Sequence, residues 1–123
     1  MIYVVDDHSS VRRGIVRSLQ AAGFSVRAFA SGEELFAYGL TAECDCIVAD
    51  VHLPGIDGLE LHQQLVDKKM DVPLIFITSQ DDVSVRSAAY KAGAMAFFHK
   101  PVDEQALIDS IEFAMEKRSQ QTS

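Results

Sequence analysis

Two cysteines, three prolines and no tryptophan stand in this chain of 123 residues, and no apolar run approaches the length of a membrane span. Each shortage excludes something. Cys44 and Cys46 flank Asp45 without the spacing of a metal knuckle or a disulfide framework, so they read as reduced packing residues pointing the same way from one strand. A span would need ~18 consecutive apolar residues. The amino terminus also carries no basic segment ahead of a signal-like core, so a cytoplasmic chain is the expectation. Cationic charge is in short supply: 11 Lys and Arg against 18 Asp and Glu leave a formal net charge of -7. Such a charge repels a phosphate backbone, so direct contact with nucleic acid is not expected. Glycine is missing where a dinucleotide fold would want it. The turn after the first apolar run is Asp7-His8-Ser9-Ser10, and its carboxylate disfavours both a Rossmann nucleotide site and a flavin phosphate.

What is present is a strict alternation. Four apolar runs, Ile2 to Val5, Cys46 to Ala49, Leu74 to Ile77 and Ala96 to Phe98, are short enough for buried strands. Each is followed by a loop and a helix-like pattern. Phe24 to Phe29 alternates apolar and polar residues and suits an edge strand. Ser9 or Ser10 is positioned to cap a first helix with Val11, Ile15, Leu19 and Ala22 on its apolar face, and Gly23 sits where a left-handed stop belongs. Ser31 with Glu34 forms a capping-box signature for a short second helix ending near Gly39. A third helix is expected from about Leu59 to Lys68 with Leu61 and Leu65 inward and His62 exposed. A fourth places Val85, Ala88, Ala89 and Ala92 inward and stops at Gly93. A fifth starts at Asp103 and buries Leu107, Ile108, Ile111 and Met115, with a polar tail from Arg118. Five strand-helix units of this kind fold as one α/β domain, a parallel sheet with helices on both faces.

The strand ends carry the chemistry. Asp6 and Asp7 follow the first strand, Asp50 ends the third, Thr78 the fourth, and Lys100 follows the fifth. In a parallel sheet those ends share one rim, where ligands of open α/β sheets bind. Two carboxylates about 4 Å apart repel by roughly 4 kcal/mol at an effective dielectric of about 20, so the cluster calls for a cation. Oxygen donors suit Mg²⁺ better than zinc. Lys100 can pair with a carboxylate or a phosphoryl oxygen, Thr78 can donate a hydroxyl, and Asp50, alone on the middle strand, is the better placed nucleophile for an acyl phosphate. Plainer readings exist. An acidic pair after a strand can simply complement a helix dipole, Phe97 can be ordinary core, and His8, His52 and His99 near the rim leave a zinc site open.

Taken together, Val4-Val5-Asp6-Asp7, Asp50-Val51-His52-Leu53-Pro54-Gly55-Ile56-Asp57-Gly58, Ile77-Thr78 and Phe97-Phe98-His99-Lys100-Pro101 make the chain resemble the receiver domain of two-component response regulators over nearly its whole length. The nearest pattern is that of receivers in nitrogen-fixation-type transcription regulators. The resemblance implies a flavodoxin-like fold with five strands ordered 2-1-3-4-5 and five flanking helices. It implies a receiver over residues 1–118, with 119–123 a polar tail that either ends a stand-alone receiver or begins a linker to an output domain. It further implies phosphoryl transfer from a sensor histidine kinase to Asp50. Asp7 and Asp50 would be direct Mg²⁺ ligands, Asp6 a ligand through water, and the backbone carbonyl of His52 another. Thr78 and Phe97 would be the switch pair, and Lys100 to Pro101 a cis peptide. His52 and Gln80 would tune the lifetime of the phosphorylated state, and Val102 stands where the family often has Phe or Leu.

The implied partners are the kinase, docking near Val11, Gly14, Pro101 and Val102, and a second copy or a C-terminal DNA-binding domain. These last would meet the face of the fourth helix, fifth strand and fifth helix, where Arg86, Lys91, Asp109 and Glu112 are charged contacts. Two rival classes remain: a Mg²⁺-dependent phosphohydrolase, which usually pairs its nucleophile as Asp-x-Asp on the first strand, and a degenerate receiver acting only as an interaction module.

Overall fold

Every main-chain group of a buried strand must find a partner, and here the strands find it in one another. The computed structural model describes residues 1–40, 43–79 and 83–122, with side chains to residue 117. Its elements are β1 (Ile2–Val5), α1 (Ser9–Ala21), β2 (Val26–Phe29), α2 (Gly32–Tyr38), β3 (Cys46–Asp50), α3 (Gly58–Asp67), β4 (Leu74–Thr78), α4 (Val83–Lys91), β5 (Ala96–His99) and α5 (Glu104–Thr122). The strands form one parallel sheet in the expected order β2-β1-β3-β4-β5. Chain order reverses direction between β1 and β3, so the loops leaving those two strands diverge and open a crevice at their carboxyl ends. No helix among the described residues is long and apolar enough to cross a membrane.

β1, β3 and β4 are buried along their full length, as near-continuous Val, Ile and Leu runs require when helices cover both faces. Alternation divides them between two cores. Ile2, Val4, Cys46, Val48, Ile75 and Ile77 pack with Ile15, Leu19, Leu107 and Ile111 from α1 and α5. Tyr3, Val5, Ile47, Ala49 and Phe76 pack on the opposite face with Leu35, Leu61 and Leu65 from α2 and α3. Fully buried leucines such as Leu19 and Leu61 each contribute about 2–5 kcal/mol against truncation to alanine, so the sheet is clamped between two apolar layers.

Local signals hold in most places and yield to packing in others. Ser31 Oγ accepts from Glu34 N at 3.1 Å, while a Glu34 carboxylate oxygen accepts from Ala30 N. Asp57 Oδ1 caps α3 through Glu60 N, so the helix starts at Gly58, one residue ahead of the expected Leu59. Gly23, Gly39 and Gly93 take positive φ at their helix ends. α1 differs: it begins at Ser9, and His8 is its N-cap without a side-chain cap bond, so neither serine caps it. Ala22, Ala88 and Ala92 are exposed and α4 buries Ala89 alone, because small side chains permit a helix to lie on either side of the expected apolar face. In β2 Ala28 is exposed and Phe29 buried, as the looser cover over an edge strand allows. Cys44 lies ahead of β3, outside strand alternation, so it enters the α2/α3 core while Cys46 enters the α1/α5 core. His62 is 9% exposed rather than solvent-facing, its ring inclined to that of Phe76 at 6.4 Å with Gly93 alongside. α5 continues to Thr122.

Candidate functional site

β1 ends by delivering Asp6 to the crevice with its backbone held on two sides. Asp6 N donates to Phe29 O at 3.1 Å, and Arg12 Nη1 of α1 donates to Asp6 O at 2.7 Å. Its carboxylate is fully buried; Oδ1 accepts from His8 N at 2.8 Å. Across the switch point β3 delivers Asp50, whose Oδ1 accepts from His52 N at 2.8 Å. Val51 N donates to Ile77 O, and Gly58 N returns to Val51 O, so the loop after β3 is pinned to both β4 and the start of α3.

Lys100 joins the two carboxylates. Its Nζ donates to Asp50 Oδ2 at 2.7 Å and lies 2.9 Å from Asp6 Oδ2, a buried oxygen that receives no directed hydrogen bond and keeps lone pairs available beyond that ion pair. Burial alone would lower the lysine pKa. The hydrogen bond and charge of Asp50, with the close negative charge of Asp6, outweigh it and raise the pKa above its ordinary value, so Lys100 stays cationic. Its backbone N donates to Thr78 O at 2.7 Å, which ties the end of β5 to the end of β4, and the peptide to Pro101 is cis.

Asp7 completes the acidic group on its outer side, and His8 Nδ1 lies 3.3 Å from Asp7 Oδ1. One donor atom from each of Asp6, Asp7, His8 and Asp50 lies within 4.8 Å of the others. The donors are mainly hard carboxylate oxygens, three negative charges answered by one lysine. That set fits a divalent cation such as Mg²⁺. Among the described residues His52 and His99 stay outside this group, so the three rim histidines do not assemble a zinc site.

Thr78 is fully buried at the end of β4, opposite His99 in register. Phe97, 9% exposed, packs on the same core, flanked by Tyr90 at 6.4 Å between ring centroids and by the Arg86 guanidinium at 5.4 Å. His52 is exposed on the rim, and Gln80 lies outside the described residues. A cavity of about 600 Å³ opens next to Lys100, lined by Val11, Gly14, Pro101, Val102 and Leu107 among others. Arg86, Lys91, Asp109 and Glu112 are exposed on α4 and α5.

Sequence reasoning missed two residues that position this site. Arg12 reads as an ordinary charge on α1, though its place one turn into the helix after Asp6-Asp7 is within reach of the preceding carbonyl. Gly58 reads as a loop breaker, yet a Cβ there would meet Asp50 O and Val51 Cα at 2.8 Å. Nothing in periodicity signals a close approach between segments.

The model of the response regulator receiver domain family matches residues 2–112. The chain belongs to that family. Among curated relatives, the transcriptional regulatory protein FixJ of Rhizobium meliloti is 35% identical over 115 residues, covering 94% of this chain and 56% of FixJ. Nodulation protein W of Bradyrhizobium diazoefficiens is 34% identical over 117 residues, covering 95% of this chain and 52% of that protein. The chain therefore spans about half the length of these curated relatives. Among solved structures, FixJ-N superposes with a TM-score of 0.86 at 35% identity, covering 94% of this chain and 92% of the other. The response regulator StyR superposes with a TM-score of 0.88 at 38% identity, covering 98% and 61%. This receiver domain is thus a module of two-component signalling, of the kind found in transcriptional response regulators, rather than a conventional enzyme.

Proposed function

We propose that this receiver domain is a phosphorylation-activated switch in which Asp50 takes a phosphoryl group from the histidine of a sensor kinase. An Asp50 carboxylate oxygen attacks phosphorus, the phosphorus–nitrogen bond breaks, and the imidazole leaves with the bonding pair. The pairing of Asp50 with Lys100 at 2.7 Å, with Asp6 on the same ammonium, carries this reading. The ammonium can follow the charge from the carboxylate to the new phosphoryl oxygens, because Lys is a compact cation on a flexible stem. Asp6, Asp7 and Asp50, with the backbone carbonyl of His52, would hold Mg²⁺, which when bound offsets the repulsion of the carboxylates and of the transferring group.

In this reading Thr78 donates its hydroxyl to the phosphoryl group, and Phe97 follows it inward, altering the face of α4, β5 and α5. That face then meets a second copy or a following DNA-binding output domain, as suits relatives described as transcriptional regulators. The kinase docks on α1 and the loop at Pro101 and Val102, beside the cavity next to Lys100. His52 and Gln80 tune the access of water to the acyl phosphate.

The test is intact mass after incubation with Mg²⁺ and acetyl phosphate. One added phosphoryl group is expected, absent in Asp50→Asn and in a chelated control. A labelled Asp50→Asn protein overturns the assignment, and continuous release of phosphate without an adduct favours a phosphohydrolase.

A further inference from the structure

β5 is the edge of the sheet beyond β4, so the outer side of its Phe97 ring is covered by α4. α4 is weakly anchored, with Ala89 as its one buried residue among those described. Beside Ala89 and the partly buried Val85, two surface side chains of this helix reach the ring. The Arg86 guanidinium carbon stands 5.4 Å from the Phe97 centroid, and the half-exposed Tyr90 ring lies 6.4 Å from it at 41°. Four residues apart, Arg86 and Tyr90 share one helix face, so both reach the same ring. The ring is buried in a structure whose Asp50 oxygen is engaged by Lys100.

We propose that Arg86 and Tyr90 form a latch that holds Phe97 in its buried position and so sets how much of this domain rests with the output face already in that arrangement. The inference depends on the reading of Phe97 as the switch ring given above. Both are positioning residues: they touch neither Asp50 nor the transferred group. A guanidinium over an aromatic face is electrostatically attracted by the ring, and an inclined ring pair adds to it. Any interaction that favours the buried ring also favours whatever state of Asp50 prefers that ring, by reciprocity.

The experiment compares the whole chain with Arg86→Gln, Arg86→Lys and Tyr90→Leu by ¹⁹F NMR on fluorophenylalanine-labelled protein, with the Phe97 signal assigned from Phe97→Leu. Spectra are taken before and after labelling of Asp50 with acetyl phosphate and Mg²⁺. Arg86→Gln is expected to raise the exposed-to-buried ratio of the ring by about 2- to 5-fold before labelling. Arg86→Lys should recover part of that change because it keeps the cation, and Tyr90→Leu should move the ratio in the same direction as Arg86→Gln. The extent of Asp50 labelling should fall in Arg86→Gln and recover in Arg86→Lys. If the wild-type ring responds to labelling but its resting signal is the same in all three variants, the latch is overturned and the switch reading stands. If the ring responds to labelling of Asp50 neither in the wild type nor in Arg86→Gln with its ring partly released, the switch reading fails and the latch with it.

Discussion

Replacing Gly58 by alanine tests whether the start of α3 sets the position of Asp50, the proposed phosphoacceptor. The added methyl would lie 2.8 Å from both Asp50 O and Val51 Cα and 3.0 Å from Phe76 Cε1. Ordinary contact begins near 3.4 Å, so two main-chain atoms must each retreat by about 0.6 Å. Those atoms are held: Val51 N is bonded to Ile77 O, Val51 O to Gly58 N, and Phe76 is fully buried. Overpacking of this kind costs about 1–3 kcal/mol. For a domain of this size that is a fall in Tm of about 4–12 °C. Displacing the Asp50 main chain also disturbs its alignment with Lys100 and Asp6, so labelling by acetyl phosphate should slow by about 10- to 100-fold. Thermal unfolding by circular dichroism and intact mass against time read the two effects. Gly14→Ala is the control of opposite sign: nothing lies within 4 Å of its Cβ, and alanine in a helix interior should stabilise by about 0.5–1 kcal/mol. A Gly58→Ala protein with wild-type Tm and wild-type labelling rate would refute the argument.

Lys100→Met leaves Asp6 and Asp50 buried without their shared cation, so the domain should lose about 3 kcal/mol in Mg²⁺-free urea titrations. Millimolar Mg²⁺ should restore much of that loss, and equal stability of variant and wild type without Mg²⁺ would contradict the role given to Lys100. Burial lowers the His62 pKa from its usual 6.5. Between that lowered value and 6.5 the unfolded chain binds more protons than the folded one, so the stabilising contribution is present above 6.5 and is lost as pH falls through this window. Wild type should therefore lose stability more steeply than His62→Leu from pH 7.5 to 5 in urea midpoints, and parallel slopes would show that His62 does not titrate on unfolding.

The residues proposed to perform the chemistry are legible because each closes an apolar run at a strand end with a charged or hydroxyl side chain. Asp50 after Cys-Ile-Val-Ala and Lys100 before Pro101 interrupt apolar runs with charge, and parallel topology then requires them to meet. The misreadings have a shared cause. A histidine on a short helix reads as solvent-facing, whereas the seating of α3 against Phe76 and Gly93 buries His62. Ala88 and Ala92 match the apolar period of α4 but bury too little area to fix its rotation. Cys44 lies just outside β3, where the two-residue period no longer applies.

The sequence by itself determined the order of elements, the apolar faces of the central strands and the chemical character of the rim, since periodicity and residue type are local properties. Only the tertiary structure decided that Lys100 is shared between Asp50 and Asp6, that Arg12 grips the Asp6 carbonyl, that Gly58 has no room for a methyl and that Arg86 and Tyr90 close over Phe97. Each of these is a distance between segments far apart in the chain or on separate elements, and such distances are set by how helices seat on the sheet, which no local pattern records.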